Sequence, residues 1–246
     1  MTKRVKRILW AVGITVGLLT IAALILYINF RQAIKSMTPV ETFAVNDSVW
    51  CLKDRFVNAY IFKGEKNYLA VDAGISKRII NEEMTKLHID PKKVTTILLT
   101  HSDGDHTGAA ELFKNAAIYM HRDEEQMING TTARNKFSKT KWKYGPYKLL
   151  DSNDTLTIDG LKIKILHTPG HTPGSSCYII GTDYLVTGDN LIVVDGKYDH
   201  FTEMFNMDTR MQTESIKLLP APGSFRYILT AHNGVAEISR LGSALK

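Results

Sequence analysis

At 246 residues and a formal charge of +6, the chain has room for one large domain or two small ones. Residues 1 to 35 hold six Lys and Arg and no acid, which leaves 25 of the 31 basic residues against 25 Asp and Glu in the rest. The basic excess therefore belongs to the N-terminus and gives no argument for a nucleic-acid partner. Two cysteines, Cys51 and Cys177, are too few for a disulfide framework and sit outside any C-x-x-C spacing, so two separate buried thiols are expected.

The first seven residues contain Lys3, Arg4, Lys6 and Arg7, and an uncharged run from Ile8 to Phe30 follows. As a helix, those 23 residues would span roughly 34 Å, enough for a hydrocarbon core of about 30 Å. A cleavable signal peptide has a shorter apolar stretch and an A-x-A-like site, so 8–30 reads as a transmembrane anchor. Four basic residues before the span, against Arg31 and Lys35 after it, place residues 1–7 in the cytoplasm. The expectation is a single-pass protein of the cell membrane, with a connector over 31–42 and an extracytoplasmic domain over 43–246.

Within that domain, strands are predicted at 49–52, 56–62 and 68–72, the last two joined through 64–67. Ile79, Ile80, Met84 and Leu87 share one side of a helix over 76–89, with Ser76 as its N-cap. A strand over 94–100 runs directly into His101, followed by a short helix at 108–115 and a strand at 117–120. Hairpins are predicted at 155–166, turning on Asp159-Gly160, and at 175–189, turning on 181–183. A helix over 207–219 takes Asp208 or Thr209 as its cap, and a strand at 226–230 ends just before His232. Two β-rich halves closed by helices predict one sheet-on-sheet domain with helices outside.

The chemistry gathers at strand ends. "THSDGDHTG" packs His101, Asp103, Asp105 and His106 into six positions after the strand that ends at 100. His171 lies in a Gly/Pro-punctuated loop, Asp189 just past a strand, and His232 likewise. In the first cluster, His101 and Asp103 can point one way while Asp105 and His106 diverge, which suits feeding two metal ions from one loop. The spacing is unlike the i, i+4 histidines of H-E-x-x-H. A polar turn with a helix cap would account for 101–106 alone, but not for four strand ends each delivering His or Asp.

From about residue 44 onward the chain resembles the metallo-β-lactamase superfamily. Its H-x-H-x-D-H motif matches His101, Asp105 and His106, with Asp103 where the second histidine is usual. Later motifs match at His171 in "PGHTPGS", Asp189 in "TGD" and His232 in "AHNG"; "NAYIF" and "YLAVDAG" look like the opening hairpin, with Asp72 behind the site. The resemblance implies an α/β fold, a four-layer αββα sandwich, with metals in a cleft at the edge of two sheets. It implies one ion on His101, Asp103 and His171, a second on Asp105, His106 and His232, and Asp189 bridging them beside a shared hydroxide. Asp105 would also help orient that hydroxide as a catalytic residue. Two divalent ions are implied, zinc by family habit, with Fe or Mn favoured by the harder carboxylate of Asp103. The other reading of Asp103 is a turn residue, with one ion weakly held or absent.

The implied activity is metallo-hydrolysis of a small-molecule ester, thioester, lactone or β-lactam carbonyl. A phosphodiesterase, a di-iron oxidoreductase and a non-catalytic metal-binding module are the alternatives. Residues 131–148 carry six basic residues and no acid, interleaved with Phe137, Trp142, Tyr144 and Tyr147. That segment reads as a solvated loop, as a lid for an anionic substrate, or as a contact with anionic headgroups. Trp142, Tyr144 and His200 are the candidate substrate contacts, and His167 is expected to hydrogen-bond its own loop.

Overall fold

A computed structural model describes residues 1–135, 138, 139, 141–194 and 197–238, with the backbone alone at Val194, Lys197 and His200. The chain forms two compact units, Met1–Met37 and Thr38–Lys246. The first is a single helix, α1 (Lys3–Ser36), with Thr2 as its N-cap, accepting from the Val5 amide. Its 18-residue apolar window has a mean hydropathy of 2.4 and none of it is buried, so it is long and apolar enough to cross a membrane. The helix runs six residues past Phe30, into the expected connector. Arg31, Gln32 and Ala33 are good helix formers, Lys35 complements the C-terminal dipole, and Pro39 is the first breaker.

The second unit opens with β1 (Phe43–Asn46), β2 (Val49–Asp54), β3 (Val57–Lys63) and β4 (Tyr68–Val71), then α2 (Lys77–Lys86), β5 (Val94–Leu98), α3 (Gly104–Thr107), β6 (Ala117–His121), α4 (Glu125–Ile128) and β7 (Tyr147–Leu150). These strands make a seven-stranded sheet in sequence order, antiparallel through β4 and parallel from β4 to β7. The rest of the chain gives β8 (Thr155–Ile158), β9 (Leu161–His167), β10 (Ser176–Ile180), β11 (Tyr184–Gly188), β12 (Leu191–Val194), β13 (Lys197–His200), α5 (Thr209–Lys217), β14 (Tyr227–Thr230) and β15 (Gly234–Glu237). The second sheet has the order β15-β14-β11-β10-β9-β8, and β12 with β13 forms a separate hairpin. The sequence did not signal β1, β7, the β12–β13 hairpin or β15. Each is only four residues long.

Side-chain alternation explains the layers. On β2 and β3, Cys51, Tyr60 and Phe62 join Ile165, Tyr178 and Leu229 in a core between the sheets. Their neighbours Leu52, Ala59 and Ile61 turn the other way, onto Ile80 and Met84 of α2. On the far side of the second sheet, Cys177, Leu185 and Ile228 pack against Leu219 and Phe225, with Ile216 of α5 alongside. The result is helix, sheet, sheet, helix: the αββα sandwich. The strand β3 is covered on both faces, which is why it is apolar apart from Asn58 and its last residue, Lys63. Burying Ile80 and Met84 contributes about 1.5–3 kcal/mol each. Cys51 and Cys177 are free, buried and in different cores, and burial pushes both thiols up to about 12.

Candidate metal centre

Topology brings the strand ends together. The strands β4, β5 and β6 run parallel, and β9, β11 and β14 share one direction in the second sheet. Their C-terminal ends deliver Asp72, His101, His171, Asp189 and His232 to one edge of the sandwich. Two backbone features make this fit. Gly188 has φ +55, and a Cβ there would lie 2.4 Å from Thr100 Oγ1, so only glycine lets β11 close on the His101 loop. Asp72 is itself left-handed at φ 59, a strained conformation for a non-glycine residue. That turn aims its carboxylate at Thr100, whose amide (2.8 Å) and hydroxyl (2.9 Å) both donate to it, and at His106 Nδ1 (2.8 Å). His101 Nδ1 in turn donates to Thr100 Oγ1 at 3.1 Å.

The first group consists of Asp105, His106, Asp189 and His232, with candidate ligand atoms all within 4.8 Å of one another. Each ring is fixed from behind: His106 by Asp72, and His232 by donation from Nδ1 to the Phe56 carbonyl at 2.7 Å. Both Nε2 atoms thus point inward, each 3.2 Å from Asp189 Oδ1. His106 Nε2 and Asp189 Oδ1 are fully buried and make no hydrogen bond, while Asp105 Oδ2 lies 3.4 Å from His232 Nε2. Two imidazoles and two carboxylates with orphaned inward atoms fit a divalent cation.

Charge follows the same logic. Burial works to lower the His106 and His232 pKa values, but facing carboxylates outweigh it. Asp189, Asp72 and Asp105 hold His106 well above the usual range, and Asp189 and Asp105 take His232 to about 10. The Asp189 carboxyl is held well below its ordinary value, because His232 and His106 overcome the effect of burial. Without a cation the histidines keep protons that balance the acids.

The second group is His101, Asp103 and His171. Asp103 Oδ2 lies 3.5 Å from His101 Nε2 and 3.2 Å from His171 Nε2, and His171 Nε2 is 3.4 Å from Asp189 Oδ2. Burial raises the Asp103 pKa, yet the neighbouring His101 and His171 hold it well below the carboxylate range. Burial lowers the His171 pKa, against the facing carboxylates of Asp103 and Asp189. Its Nδ1 donates to Asn206 Oδ1 at 3.2 Å, leaving Nε2 as an acceptor. Arg134 reaches into this group and bonds both Asp103 oxygens. All seven residues singled out in the sequence thus meet at one site, with Asp72 behind it.

Three contributors carried no sequence signal. Arg134 was only one of six basic residues in its segment. Phe201 stacks on His232 with centroids 4.9 Å apart and meets the His171 ring edge at 5.8 Å. Glu124, fully buried, accepts from the Ser102 amide (2.7 Å) and hydroxyl (2.6 Å) and from Thr172 Oγ1 (2.6 Å) and the Gly174 amide (3.1 Å). One carboxylate thereby ties the His101 loop to the His171 loop. A cleft of about 430 Å³ opens over the site, lined among others by Asp103, Asp105, Arg134, Met204, Phe205 and Asn206.

Trp142 and Tyr144, two of the expected substrate contacts, are not among the described lining residues of the cleft. Trp142 meets Tyr144 and Tyr147 edge-on at 5.2 and 5.5 Å and packs against the α2-side core, outside the described lining of the cleft. Aromatic rings in a basic segment look the same in sequence whether they cover a ligand or a sheet. Phe137 and the His200 side chain lie outside the described residues. His167 donates from Nε2 to the Pro173 carbonyl at 2.9 Å and stacks on His121, rings 3.8 Å apart and tilted by 8°. With Asp123 this pair forms a third cluster of metal-binding residue types. Nearly parallel rings cannot both aim an in-plane lone pair at one ion, so that pair reads as packing.

Residues 52–232 match the family model of the metallo-β-lactamase superfamily. A probable metallo-hydrolase of Bacillus subtilis is 27% identical over 192 residues, covering 74% of this chain and 87% of that one. An N-acyl homoserine lactonase from a Bacillus species is 24% identical over 217 residues, covering 75% and 79%. Among solved structures, a subclass B3 metallo-β-lactamase described by its active-site glutamic acid superposes with a TM-score of 0.63 at 15% identity, covering 88% of this chain and 91% of that one. The chain belongs to the metallo-β-lactamase superfamily and is a metallo-hydrolase of that fold.

Proposed function

We propose that Asp105, His106, Asp189 and His232 hold a divalent cation, zinc first among the candidates, and that the protein hydrolyses the carbonyl bond of a small ester, thioester, lactone or β-lactam. The observation that carries this reading is the buried, unbonded pair His106 Nε2 and Asp189 Oδ1, which a cation would satisfy. The bound cation would supply a Lewis acid for the substrate carbonyl and lower the pKa of water. Asp72 and the Phe56 carbonyl fix the rings of His106 and His232, so little reorganisation accompanies turnover. Asp105, with its side chain 22% exposed at the cleft, turns Oδ2 toward His232 and uses its other carboxylate oxygen to orient the attacking water and accept its proton. Phe201 covers His232 and helps keep bulk water from the imidazole.

Similarity to a lactonase supports a carbonyl substrate. A phosphodiester is the weaker reading: Arg134 is the cation among the described cleft-lining residues, and Asp103 already engages it. We further propose that α1 anchors the hydrolase in the cell membrane, with residues 1–7 cytoplasmic. The direct test of function is a panel of a lactone, a thioester, a β-lactam and a bis-aryl phosphodiester, assayed with the zinc-loaded full chain. Turnover of a carbonyl substrate, abolished by chelation and by Asp189→Ala, is the expected result. Turnover of the phosphodiester alone, or of nothing, would overturn it.

A further inference from the structure

Arg134 stands where a second cation would. Its Nε lies 2.9 and 2.8 Å from the two oxygens of Asp103, and a terminal guanidinium nitrogen lies 3.1 Å from His171 Nε2. Two members of the His101, Asp103, His171 group are therefore already engaged by a positive charge. The same terminal nitrogen donates to the Phe205 carbonyl, and the side chain is only 18% exposed. This is a seated guanidinium, held from three directions, and its neighbours are prepared for it. His171 can accept because its other nitrogen donates to Asn206. The remaining member, His101, keeps a buried Nε2 that makes no hydrogen bond.

The identity of residue 103 fits this arrangement. An imidazole at that position would offer Arg134 one neutral acceptor, whereas a carboxylate offers two charged oxygens to a planar donor. The charge balance agrees. Asp103, Asp105 and Asp189 bring three negative charges to the two groups, and one divalent cation plus one guanidinium supply three positive ones. A second divalent ion would have to enter beside the guanidinium against its repulsion, or after the side chain leaves.

We propose that Arg134 is a built-in occupant of the second cation position. The resting protein holds one tight divalent ion, at Asp105, His106, Asp189 and His232, and takes a second only when Arg134 leaves the His101, Asp103, His171 group. This inference rests on reading the site as a metal centre, and its test separates the two.

The experiment titrates the metal-free full chain, in detergent micelles, with cobalt(II), following visible absorption and calorimetric heat. The unmutated protein is expected to take one equivalent tightly and a second at least about tenfold more weakly, a gap of about 1.4 kcal/mol or more. Arg134→Ala and Arg134→Gln should bring the second equivalent to within a few-fold of the first. Asp103→His should do the same, by removing the carboxylate that seats the guanidinium while keeping a ligand. An unchanged first affinity in these variants reports an intact fold. Two equally tight equivalents in the unmutated protein would overturn the proposal, as would a single equivalent in both Arg134 variants; either leaves the metal centre standing. Failure of the unmutated protein to bind cobalt at all would bring down the metal-centre reading, and this inference with it.

Discussion

His232 shows how much one residue is asked to do. Its ring stacks against Phe56 and Phe201, its Nδ1 is spent on a backbone carbonyl, and its Nε2 faces Asp189 and Asp105. In the metal-free protein those carboxylates raise its pKa to about 10, and His106 is raised as well. At neutral pH both imidazoles therefore carry protons that a cation must displace. Calorimetry near pH 7 should show zinc binding with a buffer-dependent enthalpy, corresponding to release of on the order of two protons. Because the folded pKa is raised, the charged His232 stabilises the metal-free fold fully below the ordinary histidine value of about 6.5. That contribution is lost as pH climbs toward about 10, so the metal-free Tm should fall across this window. The zinc-loaded protein should lack this fall. Binding without proton release would contradict the charge assignment.

At the scale of elements, the site is a junction of loops, and Glu124 is its clamp. The loop after β5 carries His101 and the loop after β9 carries His171, and Glu124 accepts hydrogen bonds from both. In Glu124→Gln the amide nitrogen must face at least one backbone or hydroxyl donor that the carboxylate now satisfies. Leaving such a donor buried and unpaired costs about 1–3 kcal/mol, so Tm and metal affinity should drop together while far-ultraviolet dichroism is retained. A variant with unchanged metal affinity would show that the loops hold their spacing without it. This clamp also marks where the sequence stops being readable. The candidate ligand positions could be singled out because each sits in a short motif at a strand end, and α2 and α5 were legible from periodicity and the caps Ser76 and Asp208. Glu124 meets Thr172 48 residues away and Arg134 meets His171 37 residues away, contacts that no local pattern announces. Trp142 and Tyr144 went the other way: conspicuous in sequence, they pack on a sheet.

For the whole molecule, the division of charge matters most. The basic excess sits in the first unit and the remainder is balanced, so the orientation proposed for the anchor rests on Lys3, Arg4, Lys6 and Arg7. Protease added to intact cells should cleave the hydrolase unit; cleavage only after lysis would reverse the topology. The central claim is the location of the cation, since hydrolysis depends on it. Anomalous X-ray scattering at the zinc edge, from zinc-loaded crystals of the full chain, tests it most directly. The predicted result is a strong peak bounded by Asp105, His106, Asp189 and His232. A peak only between His121 and His167, or no peak at these four residues in a zinc-saturated protein, would contradict the account.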